Sequence, residues 1–274
     1  MLKTRVLTAL CLLAIFLSAL FFVPPAGWLA LAVLVAGVGA WEWGGLVGWS
    51  GTLRSAFPLL VGFLVAALGV MTGLDIDRVA RHPALAGIYL AAVAFWLLCV
   101  PTWLLRKWRI QGVLSGAITG LLVLVPASLA LAHARQVSPG FLLACMAAVW
   151  LADIGAYFVG RAIGRHKLAP TISPGKSWEG AVGGALVVVT YGLGLLLAKG
   201  GMALEGLGLA AATLLAFSAV SVMGDLFESL LKRQAGLKDS GHILPGHGGM
   251  LDRIDSLTST LPLVGLAVLY HFAP

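Results

Sequence analysis

From Gly180 to Ala198 the chain runs for 19 positions without a charged side chain. Few folds accept such a segment. A helix crosses the hydrocarbon of a bilayer with roughly 20 apolar residues. Within lipid only helices and closed barrels satisfy every backbone N–H and C=O. Eight further runs resemble it, so nine candidate spans lie at about 7–23, 27–48, 55–74, 84–105, 112–132, 139–160, 179–198, 206–225 and 256–272. Pro126 offers a kink point in the fifth. Hydrophobic residues make up 60% of the 274 and charged residues 11%, more apolar surface than a soluble domain can hide. The expectation is an all-α, polytopic membrane protein of about nine transmembrane helices. The longest polar stretches, 161–178 and 226–255, are too short for a separate soluble domain, so 1–274 reads as one integral-membrane domain.

The basic start MLKTR precedes a long apolar run ending in VPPAGW, with no A-x-A site after it. This predicts a retained helix rather than a cleaved signal. Threading nine helices with the N-terminus in the cytoplasm leaves Arg78, Arg81, Arg135 and Lys199 outside and the other Lys and Arg residues inside. That asymmetry sets the orientation. Trp28, Trp49, Trp103, Trp108 and Trp178 fall near span ends, where interfacial anchors belong. Cys11, Cys99 and Cys145 lie in apolar runs and read as small packing residues. The net charge of +7 gathers on the inner face. It suits anionic lipid or an anionic substrate, and no nucleic-acid partner is expected.

Two inner loops concentrate polar residues: GRAIGRHKLAPTISPGKSWEG at 160–180 and the segment 226–255. In the second, Asp225 follows the last apolar residues of one span, and Asp252 opens the next. A hairpin of helices puts both at a similar depth, and Asp255 shares the helical face of Asp252. Three converging carboxylates repel unless neutralised, and a hard divalent cation is their natural partner. Lys232, Arg233, Lys238 and Arg253 alternate with the acids, a mixture that suits metal plus phosphate. The glycines of GHILPGHGGM, Gly248 and Gly249 among them, permit tight turns and can present backbone N–H groups to an anion. Taken singly, each of these residues also reads as an ordinary charged helix end or flexible loop. The catalytic motifs thus gather within about residues 139–274.

The stretch SLLKRQAGLKDSGHILPGHGGMLDRID, 229–255, resembles the signature of the phosphatidate cytidylyltransferase, or CDP-diacylglycerol synthase, family of the bacterial type. Ser229, Lys232, Arg233, Lys238, Asp239, Gly241, Pro245, His247, Gly248, Gly249, Asp252, Arg253 and Asp255 fill the pattern without a gap. WLADIGAYFVGRAIGRHKLAPTISPGKSWEG is similar to a second family region. It carries Ile154, Gly175 and Ser177 in place of Thr, a basic residue and Thr, and keeps Asp153, Ser173, Lys176 and Glu179 in register. AWEWGGL, with Glu42 inside a span, also resembles the family.

The resemblance implies transfer of the CMP group of CTP to phosphatidic acid, giving CDP-diacylglycerol and pyrophosphate. It implies Mg²⁺, a homodimer, and residence in the bacterial inner membrane with the active site facing the cytoplasm. By position Asp225 and Asp252 match the metal-binding acids, with Asp255 as a further ligand or a partner of one; a second cation is compatible. Lys232, Arg233, Lys238 and Arg253 would contact triphosphate or lipid phosphate, and Gly248 and Gly249 belong to the substrate loop. His247 would donate to pyrophosphate or simply hold the loop. Asp239 would orient Lys238 or contact nucleotide. Ser173 and Lys176 would bind phosphate, unless SPGK is an ordinary turn. Asp153 is functional or else pairs with a base such as Arg161. A CTP-dependent polyprenol kinase and a cation-coupled transporter are the rival readings. The unbroken signature opposes the first, and charge gathered at one face rather than the midplane opposes the second.

Overall fold

The computed structural model describes residues 2–198, 200, 204–243 and 248–272. The chain is helical nearly throughout: α1 (Leu2–Phe22), α2 (Pro25–Leu46), α3 (Gly51–Met71), α4 (Pro83–Ala94), a π-helical turn (Phe95–Cys99), α5 (Val100–Arg106), α6 (Gly112–Val137), α7 (Pro139–Ile163), α8 (Trp178–Ala198), α9 (Leu204–Gln234) and α10 (Leu251–His271). Among the described residues seven helical stretches are long and apolar enough to cross a bilayer: 25–46, 51–71, 83–106, 112–137, 139–163, 178–198 and 206–234. The protein is therefore an all-α polytopic membrane protein. Asp252, Arg253 and Asp255 at the start of α10 lower its hydropathy below that of the others.

Three boundaries differ instructively from the sequence reading. Pro126 sits inside an unbroken, 26-residue α6, buried among neighbours that hold the helix together. The span expected to end at 225 continues to Gln234, because Leu226, Phe227, Leu230 and Leu231 keep burying one face of α9. Lys232 and Arg233 therefore lie on that helix and not in a loop. Between α7 and α8 the chain forms two short antiparallel strands, β1 (Lys167–Ala169) and β2 (Ser173–Ser177). SPGK is thus strand, and the reversal falls at Pro170–Ile172.

The core is built on α6, whose apolar stretch is 61% buried against 17% for α8. Trp43 of α2 donates from Nε1 to the Gly116 carbonyl of α6 at 3.0 Å. Trp28 and Trp49 are also buried, so these two pack the core instead of anchoring at an interface. Cys11 and Cys99 are exposed on helix surfaces and do not pack the interior. His133 is fully buried and fixed by the Ala80 carbonyl at 2.9 Å, as a packing histidine.

Helices α7 and α8 approach through their small residues. A Cβ at Gly180 would lie 2.7 Å from the Ala156 carbonyl oxygen, and one at Gly184 would lie 2.5 Å from that of Ala152. Close backbone approach of this kind is how helices associate where lipid is as apolar as the side chains. Gly184→Leu should lower stability by about 1–3 kcal/mol through overpacking. Gly194→Leu, at a position with nothing within 4 Å, should be near neutral. Thermal unfolding of the two variants in detergent checks the contrast.

Candidate active site

The ends of α7, α9 and α10 and the beginning of α8 meet around a cavity of about 510 Å³. Its lining includes Asp153 and Arg161 of α7, Ser173 and Lys176 of β2, Asp225 of α9, and Asp252 and Asp255 of α10. Six residues singled out from sequence thus face one space: Asp153, Ser173, Lys176, Asp225, Asp252 and Asp255.

Helix periodicity places the acids. Asp225 lies within α9, and its Oδ1 accepts from Ser229 one turn on at 3.2 Å. Its Oδ2 pairs with Lys176 Nζ. Strand β2 delivers that lysine because both ends of the hairpin are tied. Glu179 accepts from the His166 backbone N–H at 3.1 Å and touches its imidazole Nδ1 at 2.6 Å. Ser177 caps the first turn of α8, accepting from Gly180 N–H at 3.1 Å. A serine there keeps the capping oxygen that a threonine would supply.

Asp252 is bound from both sides. Its Oδ1 receives Lys232 Nζ at 2.6 Å. Its Oδ2 lies within reach of Ser240 N–H at 2.8 Å, Gly249 N–H at 2.9 Å and Ser240 Oγ at 3.0 Å. Gly248 adopts φ +79°, and a Cβ there would stand 2.9 Å from Asp252 Oδ2. Glycine is needed at this position on both counts. The N–H of Gly249 is spent on Asp252 rather than held out to an anion. Asp255 accepts from Ser256 N–H at 2.7 Å. Among the described residues no three His, Cys, Asp or Glu side chains converge into a ready-made metal ligand set.

Other residues fall elsewhere. Arg233 is exposed, and its Nε donates to the Ile172 carbonyl at 3.3 Å, so it pins the hairpin reversal. Lys238, Asp239 and Arg253 are exposed and outside the cavity lining. His247 lies outside the described residues. Arg161 donates to the Tyr157 hydroxyl at 2.9 Å; no ion pair joins it to Asp153 among the described residues.

Two residues have more to do than sequence suggests. Glu228, buried one turn after Asp225, sets its Oε1 3.5 Å from Lys232 Nζ. Its signal was there to read, as a second acid on the same face of α9. Glu42, from α2, is buried against the loop that precedes α10.

A cavity at one end of an apolar bundle that brings four aspartates together with Lys176 and Arg161 suits a membrane enzyme of anionic, phosphate-bearing substrates. Comparison with known proteins agrees. The chain matches the cytidylyltransferase family over residues 3–271 and belongs to it. It is 42% identical to the phosphatidate cytidylyltransferase of Pseudomonas aeruginosa, covering 96% of this chain and 95% of the relative. It is 37% identical to that of Haemophilus influenzae, over 96% of each chain. With that of Brucella melitensis it shares 39% identity over 97% of this chain and 92% of the relative.

Lys232, with 12% of its side chain exposed, pairs with Asp252 Oδ1 at 2.6 Å and stands 3.5 Å from Glu228 Oε1. Removing one member of a buried charged set leaves the others uncompensated. Lys232→Met should therefore cost about 3–5 kcal/mol of stability. Adding Asp252→Asn should return part of the loss, with a coupling of about 0.5–3 kcal/mol. A double-mutant cycle on thermal unfolding measures it.

Proposed function

We propose that this protein transfers the CMP group of CTP to phosphatidic acid, forming CDP-diacylglycerol and pyrophosphate. The observation that carries the reading is the single cavity shared by Asp225, Asp252, Asp255 and Lys176, in a chain belonging to the cytidylyltransferase family. An oxygen of the lipid phosphate attacks the α-phosphorus of CTP. The new P–O bond forms as the bond to the β-phosphate bridging oxygen breaks, and pyrophosphate carries the electron pair away. Both reactants are anions, so the site must cancel charge and hold them in line.

Lys176 supplies fixed positive charge at the cavity, Lys232 holds Asp252 from behind it, and Ser173 supplies a hydroxyl. The acids suit Mg²⁺. Each of Asp225 and Asp252 already presents an oxygen to an ammonium group, and Mg²⁺ is commonly held by one or two carboxylates with substrate phosphates completing the shell. Asp225 and Asp252 would hold it, with Asp255 beside them. The ion would polarise phosphoryl oxygens and neutralise the charge that develops there.

Beside the cavity a groove of about 1080 Å³ is lined by Val159, Ile163, Val182 and Leu186, with Arg165, His166 and Lys167 at its edge. Apolar walls beneath a basic rim suit acyl chains below a phosphate headgroup. Fuller terms of the same reading are nine spans with the N-terminus inside, a cavity open to the cytoplasm of the bacterial inner membrane, and a homodimer. The distribution of Lys and Arg supports the orientation, and family resemblance supports the dimer.

Labelled CTP separates this reaction from kinase chemistry. With phosphatidic acid and Mg²⁺, label from the α-phosphate should enter lipid, and label from the γ-phosphate should leave as pyrophosphate. Transfer of the γ label to lipid would reverse the assignment. Asp225→Asn and Asp252→Asn should each abolish turnover in folded protein.

A further inference from the structure

Helix α10 begins without a cap of its own. Met250 stands at the N-cap with helical φ −67° and ψ −44°, and no side-chain capping bond comes from it. The first N–H groups of a helix need acceptors, and here they are supplied from another helix. Glu42 of α2 is 1% exposed. Its Oε1 accepts from Met250 N–H at 2.9 Å, and its Oε2 accepts from Leu251 N–H at 2.8 Å. A carboxylate at a helix N-terminus also meets the positive end of the dipole.

The same carboxylate reaches the reaction centre through one more residue. Ser240 Oγ lies 2.9 Å from Glu42 Oε2 and 3.0 Å from Asp252 Oδ2, between the two acids. The glycines fit this arrangement. A Cβ at Gly249 would stand 2.6 Å and 2.7 Å from the two Glu42 oxygens, and one at Gly241 would stand 2.9 Å from Glu42 Cδ. The three nearest atoms to that Gly241 position all belong to Glu42. Gly241 is therefore without room for a side chain because of Glu42, and Gly249 because of Ser240 Oγ and Glu42 together.

We propose that Glu42 is a positioning residue for the transfer reaction: it fixes the first turn of α10 and, through Ser240, the carboxylate of Asp252. The proposal rests on the part assigned to Asp252 above. Glu42 makes no contact with substrate in this account; it holds the loop and the helix start that aim Asp252 into the cavity. Exchange of one Glu42 oxygen for an amide would set an N–H₂ against a backbone N–H and release that turn.

Full-length protein in detergent provides the test, by initial rates over a range of CTP, Mn²⁺ binding followed by electron paramagnetic resonance, and thermal unfolding. Glu42→Gln should lower kcat and weaken Mn²⁺ binding by about 10–100-fold, the size of effect seen when partners of metal ligands are removed. The KM for CTP should change little, and the protein should stay folded at the assay temperature. Ser240→Ala, which keeps the Glu42 bonds to Met250 and Leu251 but removes the Ser240 Oγ that accepts from Asp252 N–H at 3.3 Å, should show a smaller loss in the same direction. Gly241→Ala should reproduce the Glu42→Gln defect by crowding, and in a Glu42→Ala background it should cost nothing further.

Wild-type kcat and Mn²⁺ affinity in Glu42→Gln would overturn the proposal. So would losses in Glu42→Gln and Ser240→Ala that merely follow the fraction of unfolded protein. Additive losses for Glu42→Ala and Gly241→Ala would overturn it as well. Failure of the wild-type protein to make liponucleotide would instead remove the functional reading on which it rests.

Discussion

Charge buried at one end of an apolar bundle has to be balanced locally, and the geometry around Lys232 does this. The ammonium group stands between Glu228 on its own helix and Asp252 on α10. Lys176 does the same for Asp225 from the hairpin. The Lys232–Asp252 contact is largely buried and so is not a surface ion pair of marginal value, while the Lys176–Asp225 contact is about a quarter exposed. Lys232 joins α9 to α10 and Lys176 joins β2 to α9, and each leaves a carboxylate without its partner if it is removed. These pairs tie α9 to α10 and to β2.

The surroundings keep those charges in place. On one side the small residues of α7 and α8 let two backbones approach until Gly180 and Gly184 have no room for a side chain. On the other, α6 and α10 pack through a continuous apolar core that includes Leu129, Leu261 and Val268. The cavity lies where tight packing stops and polar side chains take over. Phosphoryl transfer at such a site needs rigid walls, because placement of the reacting groups supplies much of the rate.

Much of this could be read from the chain. Apolar runs announced the helices, and Asp225, Asp252 and Asp255 share a cavity, although Asp225 lies inside α9 and not at its end. The extension of α9 was hidden because Asp225 and Glu228 suggest a loop, whereas Leu226, Phe227, Leu230 and Leu231 continue a buried face. The β-hairpin was hidden because Pro170, Pro174 and Gly175 read as irregular chain, and strand pairing depends on partners rather than on local preference. Arg233 looked like a phosphate ligand by type, yet it binds a main-chain carbonyl. The contacts of Glu42 with Met250 and Leu251 span 208 and 209 positions, a separation at which no periodicity operates.

The π-helical turn at Phe95–Cys99 sits just before Pro101, a residue with no N–H to offer the preceding turn. A wider turn takes in one extra residue, and each residue of an α-helix accounts for about 100° of rotation. Everything downstream is turned by that amount about the axis, as a key is turned in a lock. Trp103 is thereby brought edge-on to Phe227, with ring centroids 5.4 Å apart. The π-helical turn thus helps shape the aromatic surface on which α9 rests at Phe227.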